Sequence, residues 1–417
     1  MRSVLFWLVV AAIGVVNAAL LHIFEFVGVE GANWLWNDLI PTDQYRWLVI
    51  PVAVVFGVLL TALFVLFKQK RVVPVDVTLM DEIGEAPSTL KSMGVVLLIG
   101  AASLLAGASL GPEASLVAFS AGVGAYVARQ KRYAALKQLL VLASIGALLV
   151  AFVHSLGMIL IPLLLLLQQS RQQRKKVSLK AVFAVGVAGV FSYLTSLAVT
   201  HTTGHEAVSV MPTLSDPTFL DLAIALLVGF ISALFAVTLK YLLRGFSVFS
   251  HAFMRLSIPG KEWWFGALAG LVLGGLYFIG GRTVELSGSV GSQLLIDTTA
   301  TYGVGALLLM MAVKILATAW SSATGYRGGL VFPSIYVGVA FGLLVGVIFP
   351  EYSGVGAVVG GVSGIIAATL GSPVIGGIFL VAALPFALWP AALCAVVGTL
   401  LFSVVHRQFQ KTATSAK

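Results

Sequence analysis

Charge is what this sequence lacks most. Only 10% of its 417 residues are Asp, Glu, Lys or Arg, made up of 25 basic and 16 acidic side chains. A soluble domain places about a quarter of its residues in these four types, so this chain cannot cover the surface of a water-soluble globule of its length. Cysteine is almost absent as well. Cys394 stands alone in an apolar run, which excludes a disulfide framework and a cysteine metal site. His154, His201, His205 and His251 show no metal-ligand spacing, so no metal and no cofactor are expected. The chain shows no acidic or low-complexity tail either.

What is present is apolar: 59% of residues are hydrophobic, and 44 are Gly lying inside apolar stretches. Glycine costs about 1 kcal/mol against Ala in a soluble helix interior, whereas small residues let membrane helices approach closely. An integral, multi-pass membrane protein in a lipid bilayer is expected. Runs long enough to span, about 20 residues, occupy 4–28, 47–67, 181–200, 218–243, 263–281 and 302–323. The first resembles a signal peptide but is too long for a usual apolar core, so it is read as an N-terminal helix over 4–28.

The formal charge of +9 suggests nucleic acid at first sight, but 20 of the 25 basic residues fall in six short breaks between apolar runs. Stretches Glu25 to Asp43 and Glu206 to Asp221 are acidic, with no Lys or Arg apart from those breaks. That asymmetry reads as a positive-inside signal. It places both termini in the cytoplasm of a cell (inner or plasma) membrane protein and excludes nucleic acid as a partner.

Other apolar stretches are interrupted: 93–110 then 112–128, 136–153 then 156–167, and 331–349, 354–371 and 373–405. Irregular backbone at membrane depth survives only where protein buries it or it lines a cavity, and matched breaks in two halves point to a transport site. Gly111-Pro112 and Phe332-Pro333 each open an apolar helix, and His154-Ser155 and Gly371-Ser372-Pro373 interrupt later pairs. Pro suits a first helical turn, whose free N–H groups and positive dipole end make an anion site without Lys or Arg. The candidate anion site is therefore Ser109, Leu110, Gly111, Pro112 and Glu113 with Gly328, Gly329, Leu330, Val331, Phe332 and Pro333, and the Gly111 and Phe332 N–H groups are expected to face one cavity. Three G-x-x-x-G-x-x-x-G series start at Gly266, Gly338 and Gly356 and are read first as packing grooves within one subunit.

These residues resemble the CLC chloride channels and anion/proton antiporters. Ser109-Leu110-Gly111-Pro112 is similar to that family's G-[KR]-E-G-P segment, and Ser322 to Pro333 to its S-x-G-x-x-G-G-x-F-x-P segment. Gly364 to Pro373 is similar to the helix pair that follows, and Ser178 to Phe183 to the stretch entering the last helix of the first half. The resemblance runs from about 47 to 400. It implies an all-α membrane fold of two inverted, pseudo-symmetric halves with tilted and broken helices, assembled as a homodimer with one pore per subunit. The chain is then one transmembrane domain: a first half at about 47–200, a connecting loop at about 201–217, a second half at about 218–405 and a short cytoplasmic tail at 406–417.

The departures bear on mechanism. The position of the family's gating glutamate is Leu110, its pore Phe falls on Val331, and Val72-Val73-Pro74 lacks the pore serine. No carboxylate lies in Leu165 to Gln169, where the internal proton relay would be, and the late pore tyrosine and cytoplasmic CBS pair have no counterpart. Glu113, the only acid between Glu85 and Glu206, is a candidate displaced gate that competes with the anion, or an acid complementing the helix dipole. Arg327 is read as a vestibule charge or an interfacial anchor, and Lys314 as a snorkelling side chain or, second, a charge that raises the pore potential. A passive channel for chloride or a similar inorganic anion is favoured, with a proton-coupled antiporter gated by Glu113 as the alternative; neither is an enzyme. Gly107-Ala108-Ser109-Leu110-Gly111 matches a nucleophile elbow and Gly361-Val362-Ser363-Gly364 an intramembrane serine protease. The first lacks its strand. The second finds its only later base at His406, in the basic tail.

Overall fold

The computed structural model describes residues 2–40, 45–72, 87, 89–172, 177–203, 216–298, 301–350, 354–370 and 372–415. Among them the chain is helical almost throughout: α1 (Arg2–Phe24), α2 (Val49–Leu66), α3 (Leu90–Leu105), α4 (Glu113–Ala128), α5 (Lys137–Val153), α6 (Leu160–Gln172), α7 (Leu179–Thr203), α8 (Phe219–Arg255), α9 (Lys261–Gly280), α10 (Ser289–Asp297), α11 (Val304–Ala323), α12 (Val331–Ile348), α13 (Val355–Thr369), α14 (Pro373–Ala383) and α15 (Trp389–Ser415). Nine helical stretches among the described residues are long and apolar enough to cross a membrane, and five apolar helices are shorter. The short ones are those whose sequence is cut by Gly, Pro or Ser. Of the expected Gly371-Ser372-Pro373 break, Gly371 lies outside the described residues, while Ser372 caps α14 and Pro373 opens it.

The N-terminal helix outruns its expected end. After α1, π-type turns at Glu25–Glu30 and Trp34–Leu39 carry it onward to Leu39. The reason is a continuing buried stripe, Val29, Ala32 and Trp36, that docks on α3, where the Trp36 indole N–H donates to the Leu105 carbonyl at 2.9 Å. α8, at 37 residues, is about 55 Å long at 1.5 Å per residue. That exceeds the roughly 30 Å hydrocarbon core, so it must tilt or protrude.

The glycine series pack within the subunit, as first read. Gly266, Gly270 and Gly274 lie against α2 at Gly57, Ala53 and Ile50. Gly338 and Gly342 meet Val362 and Val358 of α13, whereas Gly346 has nothing close. Gly356, Gly360 and Gly364 meet Asp221, Ala225 and Gly229 of α8. The grooves let backbones touch where no water-driven force exists between helices.

One buried acid ties two of these helices together. Asp221, 2% exposed, closes a capping box with Thr218, accepting the Thr218 N–H at 2.8 Å and its hydroxyl at 2.6 Å. Its other oxygen accepts the Gly356 N–H at the start of α13, at 2.9 Å. Replacing Asp221 by Ala strands these donors and is expected to cost about 2 kcal/mol. A lowered thermal unfolding midpoint in detergent would show it, and an unchanged midpoint would refute this role.

Candidate functional site

Two interrupted stretches meet at the centre of the fold. The segment between α3 and α4 and the segment between α11 and α12 lie antiparallel at Gly111 and Gly329. The Gly111 N–H donates to the Gly329 carbonyl at 2.9 Å, and the Gly329 N–H returns the bond to Gly111 at 2.7 Å. Broken helices at membrane depth leave backbone groups that lipid cannot satisfy. Here each break satisfies the other.

Side chains hold this junction from several helices. The Ser109 N–H donates to Ser321 Oγ and the Ser109 hydroxyl pairs with Thr318, each at 3.2 Å. The Tyr277 hydroxyl donates to the Gly107 carbonyl at 2.7 Å. The Arg327 N–H donates to Ser103 Oγ at 3.0 Å. Arg71, 5% exposed, donates to the carbonyls of Thr324 at 3.0 Å and Gly57 at 3.1 Å and also bonds Thr61. Its guanidinium stacks over the Phe265 and Tyr326 rings, both at 5.6 Å.

Glu113 occupies the middle of this frame. One carboxylate oxygen accepts the Phe332 N–H at the start of α12, at 3.1 Å. The other is buried and has no hydrogen-bond partner among the described residues. A Cβ at Gly111 or Gly329 would collide with this carboxylate, so glycine at both positions makes the space it fills. The carboxylate stands where the helix terminus would otherwise offer its N–H to an anion. The Phe332 ring packs edge-on against Phe152 at 5.8 Å, closing one side with apolar surface.

The sequence-derived site residues sort as follows. Ser109, Gly111, Glu113, Gly328, Gly329 and Phe332 converge. Leu110 is fully buried against Gly328, and Leu330, Val331 and Pro333 form the first turn beside Phe332. Pro112 precedes Glu113 in helical geometry. One expectation is corrected: the Gly111 N–H is taken by Gly329, so it does not face a cavity shared with Phe332. The half-buried Arg327 reaches the Lys70 carbonyl at 2.8 Å and lies over the Phe64 ring at 5.5 Å, the geometry of an anchor.

Lys314 also departs from expectation. It is fully buried and does not snorkel; its ammonium donates to the carbonyls of Val284 at 3.0 Å and Leu286 at 2.6 Å and faces the Tyr336 ring at 5.1 Å. The protease reading finds no support at Ser363, whose buried hydroxyl has no hydrogen-bond partner and so no base among the described residues. His406 instead stacks on Phe402 at 5.7 Å. The stretch Val73-Pro74 expected to carry a further pore signature lies outside the described residues. Arg71, Thr318, Ser321 and Tyr277 escaped the sequence reading because each is distant in sequence from the segment it supports.

The family model described as "Voltage gated chloride channel" matches residues 75–404. The chain is 28% identical over 292 residues to the H(+)/Cl(-) exchange transporter ClcA of Vibrio cholerae, covering 66% of this chain and 58% of that relative. It thus spans less than two thirds of that relative's length. Among solved structures, a slow cyanobacterial Cl−/H+ antiporter superposes with a TM-score of 0.69 at 18% identity, covering 97% of both chains. A CLC-type fluoride/proton antiporter gives 0.67 at 16% identity, covering 95% of this chain and 94% of that one. The fold is therefore the all-helical one of two inverted, pseudo-symmetric halves built from tilted and broken helices.

The packing around Glu113 has a direct consequence. Gly329→Ala drives a methyl group into the carboxylate and is expected to lower the thermal midpoint in detergent by several degrees. Adding Glu113→Ala removes the obstruction and should recover most of that loss. Additive losses in the double variant would show that the two residues do not share this space.

Proposed function

This chain belongs to the voltage-gated chloride channel family, and we propose that it exchanges an inorganic anion of the chloride class for protons across a membrane. The observation that carries this reading is the Glu113 carboxylate on the Phe332 N–H. An anion and this carboxylate compete for one helix N-terminus. While ionised, Glu113 holds the donor; once protonated, it loses its charge-assisted bond and the anion takes its place. Returning the carboxylate requires that the proton leave and the anion depart. Each swing therefore trades one anion against one proton without a second charged side chain in the site.

A passive channel was favoured by the absence of a carboxylate in Leu165 to Gln169. It has less support. An ionised Glu113 fills the space an ion would cross, and the relatives above are described as exchange transporters or antiporters. For the remaining arrangement we take the two halves as about 47–200 and 218–405, since α7 ends at Thr203 and α8 begins at Phe219. We also take the protein as a homodimer in the cell membrane with both termini cytoplasmic. The basic residues gathered at 129–137, 171–180 and 240–261, set against the acidic stretches 25–43 and 206–221, support that orientation.

The test is flux from liposomes holding the purified protein. Chloride efflux should drive proton movement against a gradient and should quicken as the pH falls, because acid neutralises the gate. Glu113→Gln should abolish proton movement, at least tenfold below the parent, and leave anion flux independent of pH. Coupled, pH-dependent exchange that persists in Glu113→Gln would defeat this reading.

A further inference from the structure

Away from the anion site, the C-terminal half of α8 carries an apolar row that stays exposed on one side. Tyr241, Gly245 and Phe249 stand four residues apart and so share one face of the helix. With Leu242 and Phe246 they line a groove of about 500 Å³ walled by Trp320 of α11. The Phe246 and Phe249 rings meet the Trp320 ring at 5.3 Å and 5.9 Å. The indole N–H is already spent on the Ala269 carbonyl, at 2.9 Å, so the wall offers only carbon. Gly245 keeps the floor open: a Cβ there would meet nothing within 4 Å. Glycine weakens a helix interior, and no neighbouring helix among the described residues packs against this one as others pack against the glycine series.

The row continues through Ala252 to Leu256, where α8 ends and the chain turns into α9. Arg255 stands beside that end, and the Lys261 ammonium folds back onto the Leu256 carbonyl, at 3.3 Å. Neither forms an ion pair among the described residues, and the sequence has no acid between Asp221 and Glu262. Trp263 and Trp264, 43% and 64% exposed, open α9 beside this turn, and exposed tryptophan so placed marks the boundary between hydrocarbon and headgroups. From Tyr241 to Leu256 is 15 residues, about 22 Å of helix. A tilted α8 lays that length through the roughly 15 Å of one leaflet. We infer that this groove binds one anionic phospholipid, with an acyl chain along Gly245 and Phe249 against Trp320 and the headgroup phosphate on Arg255 and Lys261. Apolar length and fixed positive charge follow one another in the order in which a lipid presents its tail and its phosphate. A zwitterionic lipid brings an ammonium of its own to the same two cations, so headgroup charge decides which lipid is held. The leaflet is the cytoplasmic one in the orientation proposed above; anion exchange does not enter.

The experiment is native mass spectrometry of the full-length protein in detergent, delipidated and then titrated with phosphatidylglycerol or with phosphatidylcholine of the same chains. One phosphatidylglycerol per chain should be retained, about tenfold or more tightly than phosphatidylcholine. Removing both cations, Arg255→Gln with Lys261→Gln, should erase that preference. Gly245→Leu fills the groove and should weaken retention of phosphatidylglycerol about tenfold. The same variant should leave the thermal midpoint in detergent unchanged or higher, because Leu is the better helix former and has open space there. Equal retention of the two lipids would overturn the site. So would a preference that survives the loss of both cations, or retention that Gly245→Leu leaves unchanged, because the lipid would then sit elsewhere.

Discussion

The need to satisfy backbone hydrogen bonds where no water is available governs this molecule. Two helices stop near the middle of the fold, and each stop exposes N–H and carbonyl groups that hydrocarbon would leave bare. The reciprocal bonds between Gly111 and Gly329 settle that need in one stroke. Because the two broken segments pair with one another, the positive ends of α4 and α12 are brought side by side. The site is thus a by-product of how the breaks are sealed.

The seal dictates what its surroundings must be. Both positions have to be glycine, because Glu113 occupies the space a Cβ would need. The carbonyls turned outward need donors, which buried Arg71 and Tyr277 bring, and the Ser109 N–H needs an acceptor, which Ser321 supplies. The rest of the fold follows the same economy. Glycine series allow α2 with α9, α12 with α13 and α8 with α13 to pack backbone against backbone, and Asp221 spans two helix starts with one carboxylate. Close packing and donor placement replace the charged surfaces that a soluble protein would use.

Much of the architecture was legible before any coordinates. Apolar runs locate most span ends within a few residues because the bilayer demands a minimum length of continuous hydrophobic sequence, although α8 continues to Arg255, well past the expected 243. Gly111-Pro112 and Phe332-Pro333 marked the two broken helices because Pro and Gly punctuate helices wherever they occur. The apolar run ends at 28, but the helical path that α1 begins continues to Leu39, because the stripe that keeps it helical is recognised only by its docking on α3. Lys314 differs from its sequence expectation for a related reason. A lone lysine in an apolar helix looks like a snorkelling residue until the loop carbonyls of Val284 and Leu286 are seen to surround its ammonium.

By itself, the sequence determined that the chain lives in a membrane, roughly where it crosses, which loops carry the positive charge and where two proline-opened helices begin, at Gly111-Pro112 and Phe332-Pro333. These follow from composition and local order, and the bilayer reads both directly. Only the tertiary structure decided that the breaks bond to each other, that the Gly111 N–H is consumed in doing so, and that Glu113 takes the Phe332 N–H across 219 positions of chain. It also decided that Trp320 of α11 walls the face of α8 that carries Gly245. Those facts depend on distances between helices, and hydrogen bonds between residues far apart in the chain leave no periodicity for a sequence to display.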